Sequence, residues 1–301
     1  MPEMTAESGR LMKTATYASV LVAGVLIAAK FAAWVMTGSV SMLSTLIDSL
    51  LDAAASVLNM IAVHHALVPA DKEHRFGHGK AEALSALAQA AFISGSAIFL
   101  LAEAAERLIK PKAIENTEIG YGVMALAIVL TLCLVAYQRY VVEKTGSVAI
   151  AADSAHYKMD VLVNISVVVS LALSSGFGLG WADPVFALGI AAYILWGAWG
   201  IGIQAYHMLM DRELPDSERK TIENIALEHP EVEGVHDLRT RSSGTRVFIQ
   251  MHLEMDGGMT LDAAHDISDA VEAKIQNAYP RAEVLIHGDP AGLAEDQDVF
   301  Q

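Results

Sequence analysis

Six stretches of this chain are apolar for about twenty residues or more, the length a helix needs to cross about 30 Å of hydrocarbon. They cover 15–36, 39–68, 82–108, 117–138, 147–174 and 181–206. This pattern predicts an α-helical integral membrane protein with six transmembrane helices. The apolar share of 53% against 18% charged residues agrees with it. Nearly all the long apolar runs end before Asp211, and the remainder reads as a separate polar domain.

The charges sort by side. An even number of spans returns both termini to one face. Arg10, Lys13, Lys72, Arg75, Lys80, Arg139 and Lys144 fall on that face, against Arg107, Lys110 and Lys112 on the other. The excess predicts that both termini are cytoplasmic. Residues 1–14 contain Glu3, Glu7, Arg10 and Lys13 and do not resemble a cleavable signal, so the first apolar run is expected to stay as a span. The lone Cys133 excludes an intrachain disulfide and a multi-cysteine zinc cluster.

From Arg212 onward the chain has 8 Lys+Arg and 19 Asp+Glu, so most of the net charge of −15 sits there. Such a surface suits cations and argues against nucleic acid. Pro215 and Asp216 open a helix running to about Glu228. Alternation at Val247, Ile249, Met251 and Leu253 predicts a strand, Gly257 and Gly258 a turn, 261–278 a second helix and 284–287 a short strand. These elements suffice for one α/β two-layer sandwich over 212–290. Residues 291–301 are expected to be a disordered tail.

Thr37-Gly-Ser-Val40 recurs as Thr145-Gly-Ser-Val148, an offset of 108 that also carries Asp48 onto His156 and Asp52 onto Asp160. Three spans separate the copies, so they enter the membrane from opposite faces, as in the inverted repeats of transporters. Each pair is spaced by four and lies on one helix face. Asp48 and His156 each stand eleven residues inside their copy, about 16 Å deep at 1.5 Å per residue. Both pairs therefore reach the middle of the membrane. A central carboxylate costs about 2.5–3.5 kcal/mol there, and a divalent cation, or protons in its absence, compensates it. Three carboxylates and one imidazole form a four-coordinate set suited to Zn²⁺, with Fe²⁺, Cd²⁺ or Mn²⁺ as other occupants. Asp153, one turn before His156, reads as a solvated or accessory residue. Glu103 and Glu106 read as structural.

Two further groups are weaker by spacing alone. Asp71, His74 and His78 form either a second metal site or a solvated loop. His229, His236, His252, His265 and His287, with Asp289, form either a cluster at converging strand ends or scattered surface histidines. An intramembrane metallohydrolase is a rival reading, but it needs an open coordination position and a general base, and the His-Glu-x-x-His motif is absent. A membrane metal sensor is the other rival.

Gly38-Ser-Val-Ser-Met-Leu, Ile47-Asp-Ser-Leu-Leu-Asp52, Phe76-Gly-His-Gly-Lys-Ala-Glu82, Ala152-Asp-Ser-Ala-His-Tyr-Lys-Met-Asp160 and His236-Asp-Leu-Arg-Thr-Arg241 resemble the cation diffusion facilitator family, over residues 10–290. The resemblance implies a homodimer in the inner membrane that exports cytoplasmic Zn²⁺ against entering protons, with a ferredoxin/metallochaperone-like cytoplasmic domain. It assigns Asp48, Asp52, His156 and Asp160 to the transport site and Asp71, His74 and His78 to a site in the cytoplasmic loop. It assigns His236, His252, His287 and Asp289 to a binuclear cluster at the dimer interface, with His265 a further ligand. Lys80 and Asp211 match a charge pair that ties the dimer together. The sequence departs from the pattern at Gly288, in place of a glutamine, which leaves one tail ligand to water or backbone. It departs also at Ala155, in place of a bulkier gate residue, and at His64 and His65, of which an enlarged loop site is one outcome.

Overall fold

A computed structural model of the chain describes residues 6–38, 40–109, 118–177 and 182–292, with some side chains near the span ends left undescribed. Of the expected tail 291–301, residues 293–301 lie outside the described residues, as do the charges Lys110 and Lys112. The described residues divide into two compact units, 7–206 and 207–292.

The first unit is a bundle of six long helices: α1 Ala6–Thr37, α2 Val40–Ala66, α3 Ala81–Ile109, α4 Glu118–Thr145, α5 Val148–Phe177 and α6 Ala182–Leu209. Each satisfies its own backbone, which lipid requires. Among the described residues, five are long and apolar enough to cross a membrane. The other, α5, carries Asp153, Lys158 and Asp160 in its first half, where the chemistry is concentrated. Helix α1 starts well before the apolar run at 15 because Met12 packs with Ala15, Val63, Val141, Ala149 and Ile150.

Buried positions between helices are mostly small: Ala23, Ala55, Ala83, Ala86, Ala90 and Ala97. Small residues let helices approach closely where no hydrophobic force drives them together. Large apolar side chains face outward instead, Trp196 at 73% and Trp199 at 72% exposure, as lipid contact demands. Helix α4 packs along α5, and α3 lies against both α2 and α5.

The sequence repeat has a structural counterpart. In each copy the threonine hydroxyl donates to the carbonyl four residues back, Thr37 to Ala33 and Thr145 to Val141, both at 2.8 Å. In each copy the glycine takes a left-handed conformation, φ 61° at Gly38 and 70° at Gly146. Its N–H closes the helix on Trp34 or Val142 at 2.8 Å. The motif stops one helix and starts the next, and so sets the depth of the residues eleven positions on.

The second unit holds α7 Asp216–Leu227, β1 Gly234–Ser243, β2 Arg246–Met255, α8 Leu261–Ala278 and β3 Ala282–Pro290. The sheet order is β1-β2-β3, antiparallel then parallel. Thr260 caps α8, accepting the Ala263 N–H at 3.2 Å. Helices α7 and α8 cover one face through Ile222, Ala226, Ile267, Val271 and Ile275, packed on Ile249, Met251, Leu253 and Val284. This is the expected two-layer arrangement. Strand β3 is longer than the expected 284–287, because it pairs with β2 from Val247↔Ala282 to Met255↔Pro290. His287 lies beside His252, and the extension sets Asp289 beside Glu254, on the face the helices leave bare.

Candidate metal centres

Helices α2 and α5 meet at Asp52, His156 and Asp160. His156 Nε2 lies 3.1 Å from Asp52 Oδ1 and 3.8 Å from Asp160 Oδ2. One ligand atom from each of the three lies within 4.8 Å of the others. His156 is 5% exposed, while the two carboxylates are partly open. One rigid donor and two accessible ones make a site an ion can enter and leave. Asp48, expected as the fourth member, is exposed one turn nearer the 37–40 connection and stands outside that set.

Below His156 lies a fully buried polar network. Asp153 is 0% exposed; Ser19 Oγ donates to its Oδ2 at 2.6 Å, Gln138 Nε2 to its Oδ2 at 2.7 Å and Gln89 Nε2 to its Oδ1 at 3.3 Å. Of the two readings of Asp153, solvated or accessory, burial rules out the first. Helices α1, α3 and α4 each contribute a donor, and together they satisfy the carboxyl that α5 carries into the bundle. Tyr157, the next residue after His156, bonds Ser56 on α2 at 2.8 Å. Ser147 donates to Glu82, joining α5 to α3.

The connection from α2 to α3 folds on Asp71. Its Oδ1 accepts the N–H of His74 at 2.6 Å and of Glu73 at 2.9 Å, an Asx turn. These bonds, the His74 N–H first, hold its carboxyl below the usual carboxylate range. The same carboxylate lies 3.4 Å from His74 Nδ1 and 3.5 Å from His78 Nε2. His78 is buried, and Gly77 takes φ 78° to bring it round. His65 packs its ring on His78, centroids 4.6 Å apart. His64 points elsewhere, bonding Met60 O at 2.8 Å and Tyr17 Oη at 3.0 Å.

In the second unit one carboxylate gathers three imidazoles. Asp289 Oδ2 lies 2.7 Å from His252 Nδ1 and 3.5 Å from His236 Nε2, and its Oδ1 lies 3.1 Å from His287 Nε2. His236 Nδ1 is held by Glu254 Oε1 at 3.0 Å, the kind of support that orients an imidazole for a metal. A bulge between His236 and Arg239, with Asp237 at φ 48°, turns β1 here. Asp237 and Glu254 were not foreseen, and only their adjacency to predicted histidines in the strand register could have signalled them.

Residues 16–210 match the model of the cation efflux transmembrane domain, and residues 214–291 match that of the cation efflux protein cytoplasmic domain. The chain belongs to the cation efflux family. Cation efflux relatives include the cation-efflux pump FieF of Salmonella agona and of Salmonella newport, each 48% identical over 285 residues, 95% of either chain. Among solved structures, CzrB in its Zn form is 32% identical over 28% of this chain and 98% of that one, with a TM-score of 0.27. A MamM CTD variant in a nickel form is 27% identical over 25% and 98%, with a TM-score of 0.25. As a cation efflux protein the chain is a multi-pass membrane transporter of divalent metals and not an enzyme, so the hydrolase reading falls.

Within this cation efflux chain two expectations change. His265 is 69% exposed at its side chain and pairs with Asp269 at 3.5 Å, away from the histidine cluster. Helix α8 turns Ile267, Val271 and Ile275 to the sheet, so position 265 faces the opposite way. Gly288 removes no ligand: alternation in β3 turns position 288 away from His287 and Asp289, and a Cβ there would meet Met255 Cε at 2.8 Å. Ala155 packs against the Ile93–Met159–Ile194 cluster between α3, α5 and α6. Asp211, at φ 53°, lies 3.3 Å from Arg241 in the second unit, and Lys80 precedes α3 in the first. Sequence reading passed over Lys30, whose signal was a single lysine inside the first apolar run.

Proposed function

We propose that the chain is a metal/proton antiporter that exports Zn²⁺, with Fe²⁺, Cd²⁺ and Mn²⁺ as competing substrates, from the cytoplasm across a bacterial inner membrane. The observation that carries this reading is the convergence of Asp52, His156 and Asp160 in mid-bundle, with all three ligand atoms within 4.8 Å. Asp48, on the same face of α2, swings in as the fourth ligand when the ion arrives. The set then has one imidazole and three carboxylate oxygens, a tetrahedral site for Zn²⁺.

The cycle is a competition. Facing the cytoplasm the ligands shed protons and take the ion, since metal binding displaces protons from its ligands. Facing outward, at lower pH, His156 and an aspartate regain protons and the ion leaves. Imidazole suits this exchange because its ordinary pKa, about 6.5, lies near working pH.

Both termini lie in the cytoplasm, on the charge asymmetry already given. Asp71, His74 and His78 form a metal site in the cytoplasmic loop. Around Asp289 the histidines His236, His252 and His287 hold a pair of structural ions, because one carboxylate with both oxygens engaged is suited to bridging. The bare sheet face that carries them, with Leu285 at 64% exposure, is the surface on which a second copy docks to form the homodimer. Lys80 and Asp211 form the charge pair near the membrane surface.

Asp160→Ala tests the reading. Proteoliposomes of this variant should lose Zn²⁺ flux by at least a hundredfold while the purified protein stays a folded dimer. Normal flux in that variant removes the site from the mechanism.

A further inference from the structure

An ammonium stands beside the transport site that its four donors do not account for. Lys30 lies on α1, seven residues before the end of the helix at Thr37. Its Nζ donates to Ser49 Oγ at 2.6 Å and to the Thr45 carbonyl at 3.2 Å. Ser49 is 3% exposed and occupies the turn of α2 between Asp48 and Asp52. Asp48 immediately precedes Ser49 on α2 and Asp52 follows it by three residues. A lysine near a helix end in lipid ordinarily extends its ammonium to the interface. Here the ammonium turns inward to α2, and both hydrogen bonds go to neutral oxygens. It is held against the stretch of α2 that carries Asp48 and Asp52.

We propose that Lys30 is the fixed counter-cation of the transport site and sets how tightly the ion is held there. The inference rests on the site assignment proposed above. Three carboxylates and a neutral imidazole carry three negative charges, and a divalent ion leaves one uncancelled. Lys30 brings the loaded centre to zero. Net charge in the middle of a membrane is costly, so the neutral loaded centre is the form able to change its facing. The same ammonium repels the divalent ion and weakens its attraction to the carboxylates, an effect enlarged where water is scarce. Release on the far side is thereby eased. Serine and the Thr45 carbonyl act as the tether that keeps the ammonium from closing onto a carboxylate and taking the place of the metal.

Two opposite shifts test this in proteoliposomes of the full chain, with Zn²⁺ as the probe. Lys30→Met removes the repulsion, so KM should fall several-fold and Vmax should fall several-fold with it, while Lys30→Arg stays near the parent in both. Ser49→Ala keeps the charge and cuts the tether, so KM should rise, a sign opposite to that of Lys30→Met and one a general packing defect does not produce. Equilibrium Zn²⁺ titration, read as the difference from Asp160→Ala, should show the same two directions in Kd. An unchanged or raised KM in Lys30→Met, or Lys30→Arg behaving like Lys30→Met, overturns the proposal. Where Lys30→Met fails to fold, an unchanged KM in Ser49→Ala does so alone. Asp160→Ala separates the two readings: if it transports normally the site assignment is wrong, and if it is inactive while the Lys30 and Ser49 variants match the parent, only the counter-cation role is lost.

Discussion

At the scale of single residues, the bundle spends its polar side chains on two tasks. Asp52 and Asp160 are left partly open beside a buried His156 and close to it, so that an ion or protons can complete the group. Asp153, only one turn below His156, has the opposite treatment: it is closed off and given three donors. A buried carboxylate without partners is strongly unfavourable, and interhelical hydrogen bonds in membranes contribute about 0.6–2 kcal/mol each. Gln138 is the donor best placed to test this, since it bonds both Asp153 Oδ2 and Ser19 Oγ at 2.7 and 2.9 Å. Gln138→Leu keeps the volume and removes the amide. It should destabilise the purified protein by about 1–2 kcal/mol, read as a fall of a few degrees in the unfolding temperature in detergent. Leu at this position with unaltered thermal stability means that Asp153 is neutral or otherwise supported. The sequence carries Asp153 and Gln138 in plain view, yet their pairing needs α4 and α5 side by side, and no spacing rule spans the turn between them.

At the scale of elements, what the sequence disclosed follows the physics of each signal. The six helices were legible because lipid imposes one length and one composition on every span. The repeat was legible because its glycines are required by left-handed backbone at φ 61° and 70°. Strand β3 was under-read because Gly288, Asp289 and Pro290 are poor strand formers, and only the parallel ladder on β2 keeps them extended. That ladder creates the cluster around Asp289, and with it the role of Glu254. Glu254→Gln should lower Zn²⁺ affinity at the cluster about tenfold or more, by loosening the His236 ring. Titration in an Asp160→Ala background reads the cluster with the transport site disabled, and an unchanged affinity there would falsify the supporting role of Glu254. The α2–α3 connection yields a pH prediction of definite sign. Asp71 titrates below the ordinary carboxylate range because the amides of His74 and Glu73 bind its ionised form. The stability this gives the turn is present above the ordinary carboxylate pKa and is lost as pH falls through the depressed value. Hydrogen exchange at the Glu73 and His74 amides should stay slow down to about pH 4 and become fast in Asp71→Ala at every pH.

At the scale of the whole molecule, the two copies of the Thr-Gly-Ser-Val repeat bear on transport more than on folding. On the proposed reading each copy ends a helix at its own face and places an acidic or imidazole pair at the same depth, so one site is built from halves of opposite polarity. A site made this way has no preferred side, and the direction of transport must come from whatever competes with the metal for the ligands. On the antiport reading that competitor is the proton. Vesicles with equal Zn²⁺ inside and outside therefore provide a decisive arrangement, because no metal gradient is present to drive flux. Imposing a pH step alone should move Zn²⁺ toward the acidic side, as protons leave it, and reversing the step should reverse the movement. A carrier whose ligands bind metal without exchanging protons would leave Zn²⁺ evenly distributed under either step. Asp160→Ala should abolish the response, and a fluorescent pH dye in the lumen should report the matching proton movement in the parent.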